Sequence, residues 1–81
     1  MGSMFKNPPG DYAGRLIDLC GLKGTRIGDA EISSLHGNFF LNHGTATATE
    51  IHELILLAQE TVRKQTNIEL ELEIELVGEW D

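Results

Sequence analysis

The chain of 81 residues is poor in cysteine and has no long apolar run. Its single cysteine, Cys20, cannot form an internal disulfide, which fits a reducing compartment. This cysteine and the three histidines show no metal-ligand spacing, so we expect no metal site. No apolar stretch approaches the ~20 residues of a membrane span, and no secretion signal begins the chain. We therefore expect a soluble, cytoplasmic protein without a membrane partner.

Basic residues are also scarce. Six Lys and Arg residues stand against 13 Asp and Glu residues, which gives a net charge of −7. Because a phosphate backbone is bound by a basic face, this balance argues against a nucleic-acid partner. The four cations Lys6, Arg15, Lys23 and Arg26 nevertheless lie in the first third of the chain, whereas glutamates crowd its end. This distribution predicts a locally basic pocket on an acidic domain.

The apolar residues suffice for one small domain. Hydrophobic residues make up 41% of the chain, which is compatible with a folded core near the lower size limit of single domains. Residues 13–20 are predicted to form a first helix, with Asp11 as its N-cap and Gly21 in the left-handed conformation at its end. Segments 31–33 and 38–41 are predicted to be short strands, and segment 25–27 a strand or a turn.

The second half of the chain has the clearest local patterns. Thr47 and Glu50 form a capping box, and apolar residues at three- and four-residue steps predict a helix that runs to about Thr66 and is ended by Asn67. Residues 68–76 then alternate strictly between aliphatic residues and glutamates, which predicts a strand with one buried face. Together these elements predict a small α+β domain of order α-β-β-α-β, with both helices packed on one face of the sheet.

The first residues of the chain carry the most specific motif. Residues 2–8 read Gly-Ser-Met-Phe-Lys-Asn-Pro. They place a hydroxyl, a cation and an amide between a glycine and a proline. This motif resembles the flavin-dependent UDP-N-acetylenolpyruvoylglucosamine reductases of peptidoglycan synthesis. Residues 14–44, the helix start at 46–48 and the glutamate-rich last strand follow in the order of that family. The resemblance covers residues 1–81 as a single C-terminal, substrate-binding domain, and the flavin-binding domain is expected to be absent.

The resemblance implies two catalytic residues. Ser3 matches the serine that delivers a proton to the carbon next to the substrate carboxylate, after hydride transfer from reduced flavin. Aligned on Gly78, Glu73 matches the glutamate that acts as, or stabilises, the acid beside the reduced carbon. Two positions depart from the family pattern, since Leu72 replaces the usual proline and Glu75 replaces the usual arginine. The second departure removes a positive charge from this strand.

The resemblance also implies the ligands. Asn7, Lys23 and His36 match residues at or near the diphosphate of the substrate, UDP-N-acetylglucosamine enolpyruvate. The parent enzyme uses FAD and NADPH, and we expect this fragment to bind neither. It would act as an oxidoreductase, forming UDP-N-acetylmuramate for cell-wall synthesis, only together with the flavin-binding domain of the same enzyme.

Other interpretations of these residues stay open. Met-Gly-Ser is also a common N-terminal sequence that an expression vector adds to a protein, so Ser3 could be foreign to the protein. Lys23 could be an ordinary surface lysine and His36 a structural hydrogen-bond partner. The very regular last strand and Glu75 also fit an alternative function, a stand-alone or engineered interaction module that kept the fold and lost the chemistry.

Overall fold

Two helices and three short strands make up the regular structure. A computed structural model describes residues 4–73 of the chain. The elements are α1 (Ala13–Leu19), β1 (Arg26–Ile27), β2 (Ala30–Ile32), β3 (Phe40–Asn42) and α2 (Ala48–Thr66). The predicted α+β class is confirmed, and segment 25–27, left open between strand and turn, contains β1.

The three strands form one antiparallel sheet in the order β1-β2-β3. Ile27 lies opposite Ala30, and Ile32 lies opposite Phe40. Ala30 and Ile32 point to the buried side, where α2 packs on β1 and β2, and α1 in turn packs on α2. The sheet is therefore covered mainly by the long helix, with the short helix beside it.

Helix α2 forms as its sequence pattern predicts. The Thr47 Oγ1 accepts a hydrogen bond from the Glu50 amide at 3.1 Å, and the Thr47 amide donates to Glu50 Oε1 at 3.0 Å. The helix ends at Asn67, which has a φ of 62°. Its buried face consists of the residues that the spacing predicts, Ile51, Leu54, Ile55, Ala58 and Val62. The capping box, the apolar face and the helix end are all confirmed.

Helix α1 begins differently from the prediction. Its N-cap residue is Tyr12, so the assignment of Asp11 as N-cap was wrong. The Asp11 carboxylate instead accepts a hydrogen bond from the Tyr12 amide at 2.7 Å and binds the Arg15 side chain, while Asn7 Oδ1 accepts from the Ala13 amide at 3.0 Å. The end of the helix agrees with the prediction, because Gly21 takes a φ of 72°.

The strand predicted after α2 is not formed over residues 68–73, so the described order is α-β-β-β-α rather than α-β-β-α-β. This segment makes only local pairing with the start of the chain. Phe5 and Leu72 form an isolated antiparallel bridge, flanked by a bond from the Lys6 amide to the Glu71 carbonyl at 2.8 Å. Leu70 is buried, while the glutamates at 69, 71 and 73 are exposed, which confirms the predicted alternation over these residues. Residues 74–76 of the predicted strand lie outside the described residues.

Met4 and Phe5 anchor the N-terminal segment in the core. Both are fully buried, and the Phe5 ring meets the Phe40 ring edge-on with 5.9 Å between the ring centroids. Aromatic pairs favour this geometry, and the burial of two large side chains holds the segment against the sheet. The segment that follows the motif serine is thereby fixed on the domain. Over residues 4–73, neither helix is long and apolar enough to cross a membrane.

Candidate functional site

An open groove of about 470 Å³ runs along α1, and we call it the α1 groove. Three segments line it: the loop before α1, the turn after α1 and the loop between β2 and β3. Each segment contributes one of the residues predicted to bind substrate, namely Asn7, Lys23 and His36. The structure therefore brings together three residues that are far apart in sequence.

Asn7 has a structural role beside any role in binding. Its Oδ1 accepts the hydrogen bond from the Ala13 amide, which satisfies a free N–H at the start of α1. Its Nδ2 makes no hydrogen bond with residues 4–73, and the side chain is exposed on the groove. Asn7 thus joins the first helix to the loop and keeps two donors for a ligand.

Lys23 is held in a tight turn between two glycines. Gly21 and Gly24 have φ values of 72° and 82°, a conformation that side-chain-bearing residues rarely adopt. The Lys23 ammonium lies 3.6 Å from the Asp18 carboxylate, and its side chain is 30% exposed. This separation is a loose ion pair rather than a short hydrogen bond, so the ammonium can reach an anionic ligand without breaking a strong contact.

His36 stands on a loop that packs against α1. The buried Ser33 hydroxyl oxygen accepts hydrogen bonds from the Leu35 and His36 amides at 3.1 and 3.2 Å. A Cβ at Gly37 would come within 2.9 Å of the Gly14 carbonyl oxygen, so only glycine allows this approach. The loop is therefore fixed close to the helix, with the His36 ring exposed on the groove.

Asn38 is a positioning residue that the sequence reasoning missed. Its Oδ1 accepts from the Phe5 amide and its Nδ2 donates to the Phe5 carbonyl, both at 2.8 Å. The Met4 amide also donates to the Asn38 carbonyl at 2.8 Å. These bonds hold the segment that begins at Met4 against the loop between β2 and β3. The sequence signal for this role was the position of Asn38 directly before two phenylalanines. A side-chain amide there can pair with the backbone N–H and C=O of a neighbouring segment, as a paired strand would.

Of the two predicted catalytic residues, only Glu73 is among the described residues. Ser3 is outside the described residues. Glu73 is exposed, and its amide donates to the Met4 carbonyl at 2.9 Å, so its backbone lies beside the residue that follows Ser3 in sequence. The structure thus places Glu73 next to the N-terminal segment rather than among Asn7, Lys23 and His36.

The charge of the α1 groove is more balanced than the expected basic pocket. Arg15 and Lys23 line it, but each faces a carboxylate, Asp11 and Asp18 respectively. The hydrogen bond from the Arg15 side chain, together with that from the Tyr12 amide, lowers the pKa of the Asp11 carboxyl to about 2. Arg26 belongs to β1 and does not line the groove. Two of the four early cations are therefore available to this site.

A second open groove of about 420 Å³ shares no lining residue with the first, and we call it the α2 groove. The last turns of α2 and the segment after it line this groove through Glu60, Arg63, Glu69 and Leu70. Two carboxylates beside one guanidinium suit a diphosphate poorly. Neither a nucleotide nor a flavin, whose dinucleotide form also carries a diphosphate, fits these residues well.

Comparison with known proteins identifies the family of the chain. Residues 1–77 match the family model described as UDP-N-acetylenolpyruvoylglucosamine reductase, C-terminal domain. The chain belongs to this family. The family resemblance inferred from the sequence motifs is therefore confirmed.

Curated relatives and a solved structure agree with this assignment. The chain is 58% identical over 78 residues to the UDP-N-acetylenolpyruvoylglucosamine reductase of Nitrosomonas eutropha. This alignment covers 96% of this chain and 24% of the relative. The chain is 57% identical over 79 residues to the reductase of Legionella pneumophila, covering 96% and 26%. The crystal structure of the reductase from Thermus caldophilus aligns with a TM-score of 0.80 at 54% identity, covering 91% of this chain and 26% of that chain. The chain thus spans about a quarter of the length of these relatives.

Proposed function

We propose that the chain is the substrate-binding part of a flavin- and NADPH-dependent reductase. The reductase converts UDP-N-acetylglucosamine enolpyruvate to UDP-N-acetylmuramate in cell-wall synthesis. The observation that carries this proposal is the convergence of Asn7, Lys23 and His36 in one groove. These are the three residues that the family resemblance assigns to the nucleotide end of the substrate.

The α1 groove would hold the diphosphate of this substrate. The Lys23 ammonium is a mobile point charge, and the Asn7 amide offers donors from the opposite segment. A phosphate oxygen accepts several hydrogen bonds, and those from charged donors are the strongest. The His36 ring adds a further polar group at the same wall. The diphosphate would hold the nucleotide sugar against this domain, with its reacting end free to lie elsewhere.

The reacting end would lie near Glu73 and Ser3, the two residues that the family resemblance assigns to catalysis. A bound reduced flavin would supply the hydride, and we place FAD and NADPH on the flavin-binding domain of the same enzyme. Ser3 would donate the proton to the carbon next to the substrate carboxylate. Glu73, held beside Met4 through its backbone amide, would assist that step. On this proposal the chain is inactive alone, and the enzyme works in the cytoplasm.

A chimeric reductase tests the proposal. This chain would replace the matching 78 residues of the Nitrosomonas eutropha reductase, and stopped-flow absorbance would follow both half-reactions of the bound flavin. In Ser3→Ala, we expect flavin reduction by NADPH to stay nearly unchanged. Flavin re-oxidation by substrate should slow by roughly 10²–10⁴, the usual loss when a positioned acid is removed.

Matched variants decide between the assignments. Glu73→Gln should slow re-oxidation, whereas Glu71→Gln should not, because the family pattern assigns a catalytic role to Glu73 alone. Both side chains are exposed glutamates of the same segment, so Glu71→Gln is the matched control. Flavin content and melting temperature verify that each variant is folded. Unchanged re-oxidation in Ser3→Ala would remove Ser3 from the mechanism. A folded chimera whose flavin is reduced but never re-oxidised by substrate would instead support the non-catalytic interaction module.

A further inference from the structure

The α1 groove contains a second cation that the family resemblance does not assign. Arg15 lines the groove together with Lys23 and lies on α1, one turn before Asp18. Residues three apart on a helix share a face, so Arg15 lies on the same side of α1 as the carboxylate that contacts Lys23. Two cations therefore flank the same opening.

Arg15 is held much more rigidly than Lys23. Its Nε donates to Asp11 Oδ1 at 2.7 Å and its Nη2 donates to Asp11 Oδ2 at 2.5 Å, a two-bond fork that fixes the plane of the guanidinium. Its Nη1 donates no hydrogen bond to residues 4–73. The hydrogen bond to Asp11 also raises the pKa of Arg15, so the pair stays charged throughout the neutral range. Arg15 thus combines a fixed orientation with a donor that no described residue uses, and its side chain is 57% exposed.

We infer that Arg15 is a second phosphate-binding residue and that Asp11 is the residue that positions it. On the proposed function, from which this inference takes its ligand, Arg15 contacts one phosphate of the diphosphate and Lys23 contacts the other. A fixed guanidinium suits this role, because little side-chain freedom is lost when it binds an anion. The loosely paired Lys23 adapts to the position of the second phosphate.

The chain contains a matched control for this inference. Arg26 is also about half exposed and also paired with an aspartate, since its Nη2 lies 3.1 Å from Asp29 Oδ1. Its Nε donates to the Gly28 carbonyl at 2.8 Å, and it does not line the groove. Removal of its charge changes the net charge of the protein as much as removal of the Arg15 charge.

Titration of the 81-residue chain with UDP, followed by NMR or calorimetry, tests the inference. Arg15→Met should weaken UDP binding about ten-fold, the effect of one lost charge-assisted contact, whereas Arg26→Met should change it less than two-fold. Asp11→Asn should weaken binding less than Arg15→Met, and Asp11→Glu, which keeps the carboxylate, should recover part of the loss. Thermal unfolding of each variant should stay close to that of the wild type, which excludes a loss of fold as the cause.

The outcomes separate this inference from the proposed function. If Lys23→Met weakens UDP binding while Arg15→Met behaves like Arg26→Met, the role of Arg15 is wrong and the substrate groove stands. If Asp11→Asn has no effect while Arg15→Met does, Arg15 binds phosphate but Asp11 does not position it. If the wild-type chain shows no response to UDP at millimolar concentration, both the groove assignment and the role of Arg15 are overturned.

Discussion

The two grooves of the domain are similar in volume and different in chemistry. The α1 groove, about 470 Å³, contains two cations, one carboxylate, two asparagines and a histidine. The α2 groove, about 420 Å³, contains two carboxylates and one arginine beside two leucines. Volume alone would make them equal candidates. The donors that line a groove, rather than its size, indicate which one suits an anionic nucleotide.

The walls of the two grooves are also held in place by different forces. Side-chain bonds to the backbone hold the loops of the α1 groove, through Asn7, Ser33 and Asn38. The α2 groove is formed by a long helix and a segment anchored by the buried Leu70, with one bond from Gln59 Nε2 to the Leu70 carbonyl at 3.0 Å. The α1 groove thus depends on polar loop contacts, while the α2 groove depends on apolar packing.

The largest effect is expected from a charge in the apolar wall. Leu70 is 4% exposed, and Leu70→Asp would bury a carboxylate among aliphatic side chains. The cost is several kcal/mol, comparable with the ~5 kcal/mol that stabilises such a small domain. We expect the cooperative unfolding transition in urea to be lost.

The neighbouring glutamate is the control for that change. Glu71 is exposed, and only its backbone carbonyl contacts Lys6. Glu71→Gln should therefore leave the midpoint of unfolding within about 0.5 kcal/mol of the wild type. Equal loss of the transition in both variants would mean that the two faces of this segment are assigned wrongly.

A smaller effect is expected from the polar wall. Asn38→Ala removes both side-chain bonds to Phe5 and should lower the free energy of unfolding by about 2 kcal/mol. The change should be local, so hydrogen exchange at the Phe5 amide should accelerate while exchange at Ile51 in α2 changes in proportion to global stability only. Unaltered protection of the Phe5 amide would contradict the assignment of Asn38 as the positioning residue.

The surroundings of Leu70 and Asn38 also show where sequence reasoning succeeds and where it fails. The capping box of α2, its apolar face and the alternation around Leu70 follow from local patterns, and the structure confirms them. The bond between Asn38 and Phe5 joins residues 33 apart, so no local pattern contains it. Leu72 pairs with Phe5 rather than with the three-stranded sheet, and local sequence patterns do not predict this pairing for the same reason.

The substitution of one cation in each groove sharpens the comparison. Lys23→Met should weaken UDP binding about ten-fold, because it removes a charged contact from the α1 groove. Arg63→Met removes the same charge from the α2 groove and should change binding less than two-fold. Calorimetric titration of both variants measures the difference. A larger loss in Arg63→Met would move the nucleotide site to the α2 groove.

The smallest expected effect is a titration shift at Asp11. Because Arg15 and the Tyr12 amide stabilise its charged form, the folded-state pKa of about 2 lies below the ordinary value near 3.9. The stabilisation from this carboxylate is therefore complete above about pH 4 and is lost as the pH falls through about 2. Carboxyl carbon NMR should show a midpoint of about 2 in the wild type and a higher midpoint in Arg15→Met. A wild-type midpoint near 3.9 would contradict the fork between Asp11 and Arg15.

The site residues were predictable to different degrees for physical reasons. Motif similarity suggested Asn7, Lys23 and His36 as binding residues, and the structure places all three in the lining of the α1 groove. The pairing of Arg15 with Asp11 was not foreseen, because Asp11 also fits the pattern of an N-cap and only the folded geometry shows which partner it takes. The position of Asp11 just before α1 therefore led to the wrong role for the carboxylate that binds Arg15.

Chemical-shift mapping with the substrate tests the central claim most directly. UDP-N-acetylglucosamine enolpyruvate would be titrated into the ¹⁵N-labelled chain, and the perturbed amides would be located. We predict saturable shifts in the three segments of the α1 groove, at and around Asn7, Lys23 and His36, with the amides around Arg63 unchanged. Shifts that cluster at the α2 groove, or no saturable shift in either groove, would contradict the account.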